Sequence, residues 1–93
     1  MSARLSGLTI GALTLDPTFD SDVVSYTANT TNSTNTITAT PEDDEATVTI
    51  INGETPVENG KSATWSEGAN TVTITVKNGT AQKVYTVTVT KST

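Results

Sequence analysis

The sequence predicts an all-β sandwich, and three observations carry the prediction. Apolar and hydroxyl residues alternate with a period of two along two long runs. Turn dipeptides recur roughly every 8–12 residues, and no stretch shows the 3.6-residue period of a helix. The runs are clearest near the C-terminus. Residues 70–77 read Asn-Thr-Val-Thr-Ile-Thr-Val-Lys, and residues 85–90 read Tyr-Thr-Val-Thr-Val-Thr, with Asn78-Gly79 between them. Successive strand side chains point to opposite faces. Val72, Ile74, Val76, Tyr85, Val87 and Val89 therefore share a dry face. Thr71, Thr73, Thr75, Thr86, Thr88 and Thr90 face water.

The remaining elements follow in order. Leu5, Leu8 and Ile10 open an edge strand that Gly11 kinks or sends into the other sheet, and Leu13 and Leu15 resume it. Asp16-Pro17 is a turn signal. Phe19 and Val23 read as plugs beneath a loop. A strand runs through Tyr26 and Ala28, and the polar stretch 29–35 is a loop. A strand over 36–40 turns Ile37 and Ala39 inward. Residues 41–45 form an acidic loop, and a strand over 46–51 turns Val48 and Ile50 inward. Asn52-Gly53 is a tight-turn dipeptide. Val57 anchors a short return strand before the Asn59-Gly60 turn. Residues 63–66 carry Trp65, and 67–69 turn into the final hairpin. The sum is an immunoglobulin-like β-sandwich of about seven antiparallel strands.

Composition narrows the function. The 93 residues suffice for a single domain spanning 1–93. With 33% hydrophobic and 4% aromatic residues, the large side chains are needed for the core, leaving none to line an internal ligand cavity. Five Lys and Arg against ten Asp and Glu argue against a phosphate-tracking surface, so no nucleic-acid partner is expected. The chain has no cysteine and no histidine. Disulfides, thiolate metal sites and the commonest general base are excluded, and an enzyme is not expected. No apolar run approaches the ~18 residues of a membrane span, so no insertion is expected. The mildly apolar start lacks a small-x-small cleavage site and ends at Asp16-Pro17, unlike a signal peptide.

Particular residues also carry a family resemblance. Leu5-x-x-Leu8-x-Ile10, Leu15-x-Pro17-x-Phe19 and Val23-x-x-Tyr26-Thr27 resemble the start of the bacterial cadherin-like β-sandwich domain. Gly68-x-Asn70-x-Val72-x-Ile74-x-Val76, Asn78-Gly79-Thr80 and Tyr85-Thr86-Val87-Thr88-Val89-Thr90 resemble its end. Thr38-Ala39-Thr40 and Ala46-Thr47-Val48 fit its middle. The resemblance implies a module of a larger secreted or surface protein. Thr31-Asn32-x-Thr34-Asn35-Thr36 and Ala63-Thr64-Trp65 are similar to a subgroup on bacterial-virus heads and tails. The Asp-x-Asn-Asp-Asn and Leu-Asp-Arg-Glu calcium signatures of true cadherins are absent.

Few residues could carry chemistry. Asp16, Asp20 and Asp22 are close-spaced oxygen ligands and so calcium candidates, but they lack the glycine and distal glutamate of a calcium loop. Turn and cap chemistry explains them as well. Glu42, Asp43, Asp44 and Glu45 are adjacent loop carboxylates, which stay solvated and do not make a hydrolytic pair. Trp65 is either a sugar-stacking platform or core bulk, and an aromatic-poor domain favours core. Tyr26, Tyr85 and Phe19 are in phase with inward residues, and Tyr85 is placed for a tyrosine corner. Lys83 sits at a strand start, where its ammonium reaches water rather than an isopeptide partner.

These observations and the resemblance together point to a non-catalytic structural or display module on a bacterial virus or cell surface, without cofactor, serving as spacer or weak adhesive element. Its partners are neighbouring domains or virion subunits. The alternative is a module recognising surface glycans or proteins through its loops. The loop candidates are Asn32, Asn35, Glu42, Asp43, Asp44 and Glu54.

Overall fold

The computed structural model describes residues 2–92. Its strands are β1 (Leu5–Ile10), β2 (Ser25–Thr30), β3 (Thr34–Pro41), β4 (Thr47–Asn52), β5 (Thr55–Val57), β6 (Ser62–Thr64), β7 (Gly68–Asn78) and β8 (Ala81–Lys91). They form a three-stranded sheet, β1-β3-β6, and a five-stranded sheet, β2-β8-β7-β4-β5. The two sheets enclose one apolar core. The strand count is eight because the return after Asn52-Gly53 splits into two three-residue strands, one in each sheet.

The period-two pattern determines which residues fill the core. Ile74 pairs with Tyr85 and Val72 with Val87 across β7 and β8, and all four are fully buried. Each such side chain contributes about 1.5–3 kcal/mol relative to exposure. The threonines between them point outward, yet Thr73, Thr75, Thr86 and Thr88 are half-buried rather than open. The cause is the sheet's width. Ser25, Thr86, Thr73, Ile51 and Pro56 form one continuous row across all five strands. Inner threonines thus have neighbours on both sides, a setting that β-branched side chains fill well.

The crossing between sheets differs from the expected one. Leu13 and Leu15 do not resume a strand. Residues 11–24 leave β1 and descend along the open flank of the sandwich before β2 starts upward. Asp16 exchanges backbone hydrogen bonds with Thr27 on the way. This descent makes β2 run in the direction of β8, and the two pair in parallel, so the strands are not all antiparallel. Leu15 is buried in this segment, and Leu13, Phe19 and Val23 pack against the core from the side. Gly11 begins it at φ +56°, a backbone conformation that favours glycine, and a Cβ there would displace the Asn35 side chain, whose Nδ2 would lie 2.5 Å away.

Two tyrosines hold the descending segment in place. The Tyr85 hydroxyl donates to the Ser21 carbonyl (2.7 Å) and accepts from the Leu5 N–H (3.0 Å). The Tyr26 hydroxyl donates to the Asp20 carbonyl (2.6 Å) and accepts from the Asp20 N–H (3.0 Å). Phe19 lies against both rings, at 5.9 and 6.5 Å between centroids. The Tyr85 hydroxyl meets loop backbone as expected, but across 64 residues of sequence rather than in a corner; the short upstream bond of a tyrosine corner is made by Tyr26 to Asp20.

The opposite flank is closed by asparagine. Asn59 Oδ1 accepts from the Ala39 N–H (2.9 Å), and its Nδ2 donates to the Ala39 carbonyl (2.7 Å). Next along β3, Ile37 bonds Lys61 and Gly60 through their backbones. The Asn59 amide therefore stands in for one peptide of a neighbouring strand. Asn52 Nδ2 donates to the Thr64 carbonyl and ties β4 to β6 across the sandwich. Pro56 sits at the middle of the edge strand β5, where it offers no N–H to a passing chain.

The turn dipeptides were displaced by one residue. Asn52 pairs with Thr55 and Asn78 with Ala81, so the turns proper are Gly53-Glu54 and Gly79-Thr80. Both glycines have positive φ, 64° and 61°, as a two-residue hairpin with glycine first requires. The predicted loop 29–35 shrinks to 31–33, because β2 reaches Thr30 and β3 starts at Thr34.

Tyr85→Phe removes an acceptor and a donor at a fully buried position and is expected to cost about 1–3 kcal/mol. Urea unfolding at pH 7 should show a lower midpoint with an unchanged slope. Burial pushes the Tyr85 phenol above its ordinary value, with the Leu5 N–H acting the other way. A raised folded value contributes stability below the unfolded pKa of ~10, lost as pH rises through the folded value. The gap between the two proteins should therefore narrow above about pH 10.

Candidate functional site

The loops do not gather into one site. Residues 31–33 precede β3 and residues 42–46 follow it. Eight residues at ~3.3 Å each put these turns roughly 26 Å apart, at opposite poles. The molecule measures 42 × 24 × 17 Å. Asn32 thus lies at one pole and Glu42, Asp43 and Asp44 at the other. Glu54, exposed on the β4–β5 turn, lies toward the Asn32 pole, because β4 runs back from the acidic turn and Asn52 bonds Thr64, the partner of Thr34.

The acidic pole is ordered by its own carboxylates. Asp43 Oδ1 accepts from the Glu45 N–H (3.0 Å), and Asp43 Oδ2 accepts from Asn78 Nδ2 (2.9 Å). These two bonds, the backbone one first, hold the Asp43 carboxyl below its ordinary value. Asn78, itself buried, donates also to the Ser2 carbonyl (2.9 Å). The Ser2 hydroxyl donates to Glu42 Oε1 (2.9 Å), and the Glu42 N–H donates to the Arg4 carbonyl. Arg4 reaches Asp22 at 3.3 Å and Glu42 at 4.0 Å. Such exposed pairs contribute little by themselves. Together the bonds fasten residues 2–4 between the β3–β4 turn and the last hairpin.

The other pole carries Asn32, whose N–H donates to Thr30 Oγ1 (2.9 Å). A shallow depression of about 370 Å³ there is lined by Leu13, Asn29, Thr30, Thr31, Asn32 and Ser92. The Ser92 N–H donates to the Thr30 carbonyl. A second open depression of about 620 Å³ lies on the asparagine flank beside Val48, Ile50, Pro56 and Val57.

Several residues singled out in the sequence are committed to the fold. Asn35 is not a loop residue. It lies in β3, and its Oδ1 accepts the Trp65 indole N–H at 2.8 Å. Trp65 is 5% exposed, too enclosed for a sugar to stack on. Asp20 Oδ1 accepts from the Asp22 N–H in a local turn. Asp16 bonds Thr27 through its backbone, and Asp22 faces Arg4. Among the described residues, no three His, Cys, Asp or Glu converge as metal ligands would. Lys83 places its ammonium 6.0 Å from the Tyr85 ring centroid. Sequence reasoning missed the structural asparagines 52, 59, 70 and 78. Asn70 alone bonds Ser66, Gly68 and Val89. The available signal was their place beside turn glycines or at strand ends, where an amide can bond freed backbone groups.

Every buried side-chain nitrogen and oxygen among the described residues has a hydrogen-bond partner. No buried side-chain polar atom there is left without a partner. Among the described residues, no helix is long and apolar enough to cross a membrane.

Residues 5–92 match the family model described as Cadherin-like beta sandwich domain. No curated protein matches the chain.

Asp43→Ala should lower the melting temperature near pH 6. A lowered folded pKa contributes stability above the unfolded value, lost as pH falls through the folded one. The difference from the parent protein should therefore shrink as pH falls below about 4. Trp65 should emit in the blue and resist acrylamide quenching. An exposed, readily quenched emission would contradict the enclosed indole.

Proposed function

Taking as premise that the chain belongs to the cadherin-like β-sandwich domain family, we propose that it is a structural display module on a virion or bacterial surface protein. Domains of this family are generally non-catalytic structural or adhesion modules. The reading here is a stiff spacer or decoration with weak adhesive capacity.

One observation carries it. Ser2 is fastened at the acidic pole and Ser92 at the opposite pole of the 42 Å axis. A longer polypeptide would enter at one end and leave at the other. Force or spacing is then transmitted along β7 and β8, which run eleven residues each. The fold also suits exposure among many copies. Both sheet faces present mainly threonine and serine, and the edges are blunted by Pro56, by the Asp16–Thr27 bridge and by the asparagine amides. These features support a module that stands beside others without sheet-to-sheet association.

The partners in this reading are neighbouring domains or virion subunits. Recognition of a glycan or protein would have to use separate patches, because the loop candidates are split between the poles. Trp65 and Asn35 do not take part.

The deciding experiment is location. Immunogold labelling of intact source material is expected to decorate virion heads or tails, or the cell envelope. Label confined to the cytoplasm would overturn the display reading. Glycan-array binding that is lost on substituting Asn32 or Glu54 would replace it with recognition.

A further inference from the structure

Three Asn-Gly pairs occur in the chain, at 52–53, 59–60 and 78–79. Asn-Gly is the dipeptide most prone to spontaneous deamidation, because glycine offers no side chain to hinder attack by its nitrogen. In that reaction the Gly nitrogen gives up its proton and bonds to the Asn Cγ. The Cγ–Nδ2 bond breaks, and Nδ2 leaves as ammonia. Water then opens the succinimide at either carbonyl, giving aspartate or isoaspartate.

The fold controls this chemistry at each pair differently. The Gly53 N–H is held by the Thr71 carbonyl of the central strand β7 (2.8 Å), and the Asn52 amide is held by Thr64. Asn78 is buried, and its Nδ2 is held by both Ser2 and Asp43. Asn59 is exposed, and its protection is a single latch. Both of its amide atoms bond Ala39, and the Gly60 N–H bonds the Ile37 carbonyl (2.8 Å). All three bonds join residues 59–60 to β3. The segment lies between two three-residue strands, β5 and β6, and elements so short open locally at low cost.

We propose that Asn59 is a spontaneous deamidation site governed by this latch. Lifting residues 58–61 off β3 frees the amide and its attacking nitrogen together, so Asn59 converts before Asn52 and Asn78. Conversion also alters the flank lastingly. The product carboxylate has no hydrogen to donate to the Ala39 carbonyl, and the flank that Asn59 closes stays loosened. In a long-lived surface module, this flank records age.

The test is peptide mapping by mass spectrometry on the intact chain, incubated near pH 8 with and without denaturing urea. Conversion at Asn59 is expected to be slower in the folded protein by roughly tenfold or more, each tenfold corresponding to about 1.4 kcal/mol of opening free energy. In the folded protein it should precede conversion at Asn52 and Asn78. Asn59→Asp should unfold at a lower urea concentration than the parent chain. Equal rates folded and unfolded, earlier conversion at Asn52 or Asn78, or an unchanged midpoint for Asn59→Asp would each overturn the proposal.

Discussion

The Tyr85 hydroxyl is the tie on which the rest of the sandwich depends. It stands at the end of a fully buried ring on the central hairpin, and it bonds Leu5 and Ser21. These two residues belong to the start of β1 and the foot of the segment that leaves it. One oxygen thus binds the five-stranded sheet to the strand of the other sheet and to the crossing between them. A chain with no disulfide and one-third hydrophobic residues has few other means of holding a crossing that makes almost no ladder of its own. An unsatisfied phenol at this depth would be costly, so the bond is hard to give up.

The two flanks solve one problem with different groups. A sandwich of two open sheets has two sides through which water reaches the core. On one side, residues 11–24 descend and plug the gap with Leu15, Phe19 and Val23, held by tyrosine hydroxyls. On the other, residues 58–61 lie along β3, held by the Asn59 amide and backed by the Asn52 tie. Phenols suit the first side because they reach outward from the buried faces of β2 and β8. Amides suit the second because they offer donor and acceptor together, as a peptide does. Hydroxyls and amides are ordinary surface residues by composition, and their value here comes from position.

Polarity is distributed to match. Charge collects at the acidic pole and at the turns, while the sheet faces carry hydroxyls. Asp43 belongs to the fold as much as to the surface, since it accepts from Asn78 and caps its own turn. Such a molecule offers rigid faces, satisfied edges and two separated ends.

The sequence by itself determined the fold class, the strands β3, β4, β7 and β8 to within two residues of most ends, and the core faces of the final hairpin. Those follow from a period-two pattern, which acts through the nearest residues on one strand. It also marked Gly11 as the point of departure between sheets and Tyr85 as a side chain whose hydroxyl meets a loop backbone. Only the tertiary structure decided the parallel pairing of β2 with β8, the placing of Asn35 inside a strand against Trp65, and the separation of the candidate loops to opposite poles. It alone showed that Asn59 serves as a rung of β3. Each of these depends on partners distant in the chain: twenty residues for Asn59 and Ala39, sixty-four for Tyr85 and Ser21. Local periodicity shows which way a side chain points. It does not specify which strand or carbonyl it meets, because that is settled by how the two sheets close on each other.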